Sequence, residues 1–252
     1  MPFTPTHYLL IGAILFASSV VQGAVGFASG LFATPLLMLT GISLPDAVAI
    51  SMVAAAVQNI TAAWQLRREI DFRLAWRPML IRLATLPLGV WALSLVGKEH
   101  SAVAGQVVGA VVLLTVGVQS AFRIQPRQQI AAVWEWLAFS LGGFLLGLCG
   151  MGGPAMVLWV MAHDWTMSRG KAFLYYLFAT GVPLQAFFLW LAFGNEILAA
   201  MLIGLAGLPL LLAGLFAGLY LGRRFPDQAL RRLSMGVLVA IAVSALVSPY
   251  FR

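Results

Sequence analysis

At 252 residues, 62% of them hydrophobic and only 9% charged, the chain lies far from a soluble domain, in which about a quarter of residues carry charge. Its net charge of +7 comes with no RNA- or DNA-binding pattern, and in so apolar a chain it reports basic loops rather than a nucleic-acid partner. The single cysteine, Cys149, excludes an intramolecular disulfide, and no signal-peptide pattern with a small-residue cleavage site stands near the start.

Eight uncharged or nearly uncharged runs follow one another along the chain. The first, Tyr8–Pro45, is too long for one membrane span of about 20 residues and short for two. It contains Gly23-Ala24-Val25-Gly26-Phe27-Ala28-Ser29-Gly30, which interrupts a helix. Ala47–Leu66, Pro78–Gly97 and Ser101–Phe122 each fit one span. The fifth run, Trp136–Ala162, repeats the first pattern with Gly147-Leu148-Cys149-Gly150-Met151-Gly152-Gly153-Pro154. Four glycines and a proline in eight residues end one helix, and Pro154 suits the first turn of the next, where no N–H is needed. Ala172–Asn195, Ile197–Gly222 and Leu233–Phe251 complete the series as single spans. A hairpin with a long first arm and a shorter second arm fits each broken run; a long discontinuous span is the competing reading.

Gly23 aligns with Gly147, and Gly26 with Gly150, at one constant offset. The chain therefore divides into two related halves of one membrane domain, residues 1–127 and 128–252, each a broken hairpin followed by three spans. Pro87 with Pro209, Gly89 with Gly214 and Gly109 with Gly236 are weaker echoes. Loop charge orients the halves. Arg67, Arg68, Arg73 and Arg77, then Arg123 and Arg127, then Arg169 and Lys171, then Arg223, Arg224, Arg231 and Arg232 make up twelve of the fifteen Lys and Arg residues. With these loops cytoplasmic, the fifth run begins and ends inside, so it dips and returns, while the first begins and ends outside. The expected fold is an all-α integral membrane protein of two inverted repeats, with six full spans, two hairpins and both termini outside a bacterial-type plasma (inner) membrane. Inverted repeats carry their substrate site at the repeat interface, on discontinuous helices.

The two glycine motifs, Gln22-Gly23-Ala24-Val25-Gly26-Phe27 followed by Pro35-Leu36-Leu37, and Gly147 through Pro154, make the chain resemble the TauE/SafE family of sulfite or sulfonate exporters over its whole length. The resemblance implies transport of a small anion, a sulfur oxyanion or an organosulfonate. Members of the family differ in substrate, so it does not name one.

The residues make a separate case for an anion. Two hairpin tips that meet would bring the backbone N–H groups of Gly26, Phe27, Ala28 and Ser29 to face those of Gly150, Met151, Gly152 and Gly153. Helix N-termini hold anions through unpaired N–H groups and the helix dipole, and glycine allows a close approach. Gln22, Asn59 and Gln185 are expected to complete the cradle. Gln58, Thr61, Tyr175, Tyr176 and Thr180 are lesser polar candidates. Helix–helix hydrogen bonding is the competing use of each. Arg82, near Arg77 and Pro78, is expected to snorkel to the cytoplasmic interface, as part of a funnel leading the anion in. Cys149 has no Lys, Arg or His beside it and is expected to pack rather than react. His7, His100 and His163 sit at run edges. No cofactor or metal is expected, and the absence of HExxH and GxSxG patterns argues against an enzyme. No carboxylate lies well inside a run, Glu135 being the nearest, so the expected direction is export driven by the membrane potential. An ion-coupled importer of an organic anion and a non-transporting assembly subunit are the alternatives.

Overall fold

In the computed structural model the described residues are 5–25, 29–97, 101–121, 130–225 and 227–247. They form eleven α-helices and no strand: α1 (Pro5–Val25), α2 (Ser29–Leu39), α3 (Leu44–Gln65), α4 (Phe72–Val96), α5 (Ser101–Ala121), α6 (Ala132–Cys149), α7 (Gly153–Met161), α8 (Met167–Phe193), α9 (Glu196–Ala206), α10 (Leu208–Arg224) and α11 (Asp227–Val247). Five of them, α1, α3, α4, α6 and α8, are long and apolar enough to cross a membrane, and α9 with α10 makes a sixth if counted as one bent span. The surface suits lipid: Leu9, Trp64, Trp91, Leu114 and Phe216 are all more than 60% exposed. The protein is a multi-pass membrane protein.

Local chemistry fixes several helix starts. Ser43 accepts the Asp46 N–H at 3.3 Å ahead of α3. The Asp71 carboxylate accepts the Arg73 and Leu74 N–H groups at 3.1 and 3.3 Å ahead of α4. Thr166 accepts the Arg169 N–H at 3.3 Å ahead of α8. Each satisfies an N–H that the helix cannot.

Both broken runs form a long arm and a short one, 21 and 11 residues in α1 and α2, 18 and 9 in α6 and α7. The second pair is a hairpin. Phe139 of α6 meets Trp159 of α7 edge to face with ring centroids 5.0 Å apart. A Cβ on Gly142 would lie 2.9 Å from Met156 Cγ and 3.0 Å from the Gly152 carbonyl oxygen. Moving forward along α7 thus means moving back along α6. The run's two ends lie together, against the α3–α4 turn: Arg77 pairs with Glu135 at 3.4 Å and Arg169 with Asp71 at 3.3 Å.

One expected single span is broken. The run Ile197–Gly222 bends by 47° between α9 and α10. Gly207 makes the turn, and Pro209, lacking an N–H, falls in the first turn of α10, where that lack is harmless. By contrast Pro87 sits inside an unbroken α4.

The tightest packing runs between elements distant in sequence. α4 crosses α6 where Gly89 lies against the Phe144 carbonyl and Gly147 against the backbone of Leu86, Gly89 and Val90. α1 crosses α10 where Gly23 meets Leu215, Gly218 and Leu219, and Gly218 meets Val20 and Gly23. Small residues let membrane helices approach this closely, and with little hydrophobic drive between helices in lipid, such packing supplies much of the association energy. α3 packs on α8, and α5 on α11. The main core is formed largely by α1–α6 and α8–α11, while a second, aromatic cluster of Phe139, Trp159 and Phe173 lies beneath α7.

Candidate functional site

A cavity of about 90 Å³ lies where the end of α1, the start of α2 and the α6–α7 turn meet α3 and α8. Pockets for drug-sized ligands occupy roughly 300–1,000 Å³, so this one suits a small ion or a short molecule. Its wall takes Gln22 from the end of α1, Gly30 and Leu31 from the start of α2, and Gly150 through Pro154 from the α6–α7 turn. The middle of α3 supplies Ser51, Ala55 and Asn59, and the middle of α8 supplies Phe178, Val182 and Gln185. Residues four apart share a helix face, and the polar-and-small series Ser51, Ala55, Asn59 is the sequence signal that could have found Ser51. The tips touch: a Cβ on Gly30 would lie 2.8 Å from the Gly150 carbonyl oxygen.

Of the residues expected to bind, Gln22, Asn59, Gly150, Met151, Gly152, Gly153 and Gln185 all line this cavity. Gly26, Phe27 and Ala28, and the side chain of Ser29, lie outside the described residues. Gln22 is 6% exposed and its Oε1 has no partner. Gln185 donates from Nε2 to the Leu146 carbonyl at 3.0 Å, bracing the end of α6.

The backbone cradle differs from expectation in one respect. Gly150 turns left-handed, at φ 71°, and closes α6. Its N–H bonds to the Leu146 carbonyl at 3.0 Å, and the Met151 N–H bonds to the Leu145 carbonyl at 3.3 Å. The first is the 5→1 bond of an αL cap, and with the second it leaves the Gly150 and Met151 N–H groups expected to meet the anion engaged by α6 itself. The donors left at the wall are those opening α7, at Gly152 and Gly153. Pro154 has none.

Arg82 also departs from expectation. Far from snorkelling to an interface, it is 1% exposed and lines the cavity. Nη1 donates to the Leu177 carbonyl of α8, Cζ lies 5.6 Å from the Phe178 ring centroid, and Nε and Nη2 have no partner. Gly181 makes the room: a Cβ there would lie 2.9 Å from Nη1 and 3.0 Å from Nη2. Sequence gave no sign of Gly181, because its role depends on a side chain from another helix.

The other polar candidates do not face the cavity, except Tyr175. Gln58 donates to Ser19 Oγ at 2.6 Å, and Ser19 to the Leu211 carbonyl at 2.5 Å, tying α3, α1 and α10 together. Tyr176 reaches Met79 Sδ at 3.9 Å, Thr180 bonds to Leu177 of its own helix at 3.0 Å, and Thr61 is exposed. Cys149 is fully buried with Sγ 3.2 Å from the Leu145 carbonyl. His163 lies between Trp159 and Trp165, ring centroids 4.0 and 4.5 Å away. Glu135 lines no part of the cavity; it pairs with Arg77.

Among comparisons with known proteins, the family model described as Sulfite exporter TauE/SafE matches residues 10–245. No curated protein and no solved structure matches.

Proposed function

The chain belongs to the TauE/SafE sulfite exporter family, whose members are transporters of sulfur anions and not enzymes, and from that premise we propose that it exports a sulfur oxyanion or organosulfonate through the cavity between its two glycine tips. The observation that carries this reading is the cavity itself: a small space where the tips of α1/α2 and α6/α7 meet, with the first turn of α7 and the amides of Gln22, Asn59 and Gln185 at its wall. A sulfonate or sulfite offers acceptor oxygens to such donors, and a helix N-terminus favours negative charge. Gly26, Phe27, Ala28 and Ser29 belong to the same proposed cradle, on the first tip.

The reading includes two inverted repeats, residues 1–127 and 128–252. Reciprocal packing supports it. Exchanging α1 with α6 and α4 with α10 turns the Gly23–Gly218 crossing into the Gly147–Gly89 crossing, and the α3–α9 contact into the α8–α4 contact. The pairing makes Gly218, rather than Gly214, the counterpart of Gly89. On this reading both termini face outward from an inner membrane, and the basic turns face the cytoplasm.

Direction follows from charge. One negative charge leaving the cell gains about 2.3 kcal/mol per 100 mV, and among the described residues no carboxylate lines the cavity to carry a coupling proton. The test is efflux of radiolabelled sulfite from proteoliposomes under an imposed potential, with no pH or Na⁺ gradient. Efflux that rises with an inside-negative potential is expected. Flux that ignores the potential and follows a proton gradient would replace export with ion-coupled import. A protein that moves no sulfur anion under any gradient would be an assembly subunit.

A further inference from the structure

We propose that Arg82 is the oxyanion fork of this transporter: its Nε–Nη2 edge grips two oxygens of the substrate head group, and Gly181 is the residue that positions it. The proposal rests on the anion-transport reading and goes past it, from a backbone cradle to a charged, bidentate one.

Three observations carry it. First, among the described residues Arg82 is the only charged side chain on the cavity wall, and no described carboxylate pairs with it. An unpaired charge deep in a membrane protein is strongly disfavoured and marks a functional site, its partner being the thing to look for. Second, the donors left over are the right ones. Nη1 is engaged by the Leu177 carbonyl, while Nε and Nη2 are buried without partners. Those two N–H groups lie parallel on one edge of the guanidinium plane, the arrangement that binds two oxygens of one oxyanion at once. An arginine serving only as helix glue would use that edge on protein carbonyls. Third, the group is held in place. The Leu177 bond and the Phe178 ring fix one side of the guanidinium. Glycine at 181 allows it to lie on α8, where a Cβ would stand 2.9 to 3.1 Å from Nη1, Nη2 and Cζ.

The fork implies selectivity for a head group with two oxygens on one centre. Sulfite and sulfonates meet that requirement, whereas chloride offers a single centre that the two parallel donors must share at a bent angle. Lysine would keep the charge and lose the fork.

The experiment is calorimetric titration of purified protein with sulfite, with methanesulfonate and with chloride, alongside circular dichroism of each variant. The wild type is expected to bind at least one of the two oxyanions and not chloride. Arg82→Gln and Arg82→Lys are both expected to lose roughly tenfold or more in oxyanion affinity, and Gly181→Ala, whose Cβ pushes only on the flexible end of a side chain, to fold normally and bind more weakly. Wild-type affinity in Arg82→Lys would mean that charge alone matters and would overturn the fork. If Arg82→Gln does not fold, Gly181→Ala decides, and unchanged affinity there overturns the proposal. A wild type that binds neither oxyanion overturns the anion-transport reading and this proposal together, whereas a binding wild type with unaffected variants defeats Arg82 alone.

Discussion

Gly150 is required for its conformation and not for the space it leaves. A Cβ there would come no closer than 3.5 Å to any neighbour, Thr34 Oγ1 being the nearest, but φ is 71°. An L-residue in the left-handed region costs about 1–2 kcal/mol, and asparagine tolerates it better than most. Gly150→Ala is therefore expected to lower the unfolding free energy by about that amount, and Gly150→Asn by less, measured by denaturant unfolding in detergent. Equal stability of Gly150→Ala and wild type would mean that the left-handed turn at Gly150 is open in solution. The same residue shows where sequence reading stops. A cluster of four glycines announces a break, but which glycine turns left-handed, and so which N–H groups remain free, depends on how α7 lies on α6. Arg82 is a parallel case. Its distance from Arg77 along the chain argues for snorkelling, and only Gly181, on another helix, makes the inward course possible.

Among the elements, the α6–α7 hairpin and the separation of α1 from α2 were legible because such breaks are local: glycine and proline interrupt a helix wherever it packs. The division of the last long run into α9 and α10 was not legible. Its length suits one span, and proline in a helix is compatible with continuity, as Pro87 in α4 shows. Crossings are set by glycines facing backbone. A Cβ on Gly147 would stand 2.7 Å from Val90 N and 2.9 Å from the Gly89 carbonyl carbon, atoms that cannot move unless α4 and α6 part. Gly147→Ala is expected to cost at least about 2–3 kcal/mol, in the range of overpacked cores. Gly117, in α5, has nothing within 4 Å of its would-be Cβ, and Gly117→Ala is expected to be neutral or to stabilise by up to about 1 kcal/mol through helix propensity. Thermal unfolding of the two variants side by side checks the contrast. If Gly147→Ala melts with Gly117→Ala, the α4–α6 crossing is looser than the backbone contacts imply.

Among the described residues, the two ion pairs stand at one end of the molecule and Arg82 carries an unpaired charge inside. Glu135 and Arg77, and Asp71 and Arg169, join the start of α4 to the starts of α6 and α8. Glu135 reaches no part of the cavity, so Glu135→Gln is expected to leave potential-driven sulfite efflux within about twofold of wild type. Loss of flux in that variant would make Glu135 a coupling group. The crossing of α1 with α10 also bears on how the protein is made. Gly23 finds its neighbour Gly218 only after about 195 further residues have been synthesised. At roughly 5–20 residues per second, α1 waits on the order of ten seconds or more in the bilayer before that partner exists. Ser18, Ser19 and Gln22, buried in the finished protein, meet lipid or the insertion machinery in the meantime. The groove that α10 later fills must be kept from other helices until α10 itself has been made, so the nascent chain, more than the mature one, is the form in which this fold is vulnerable.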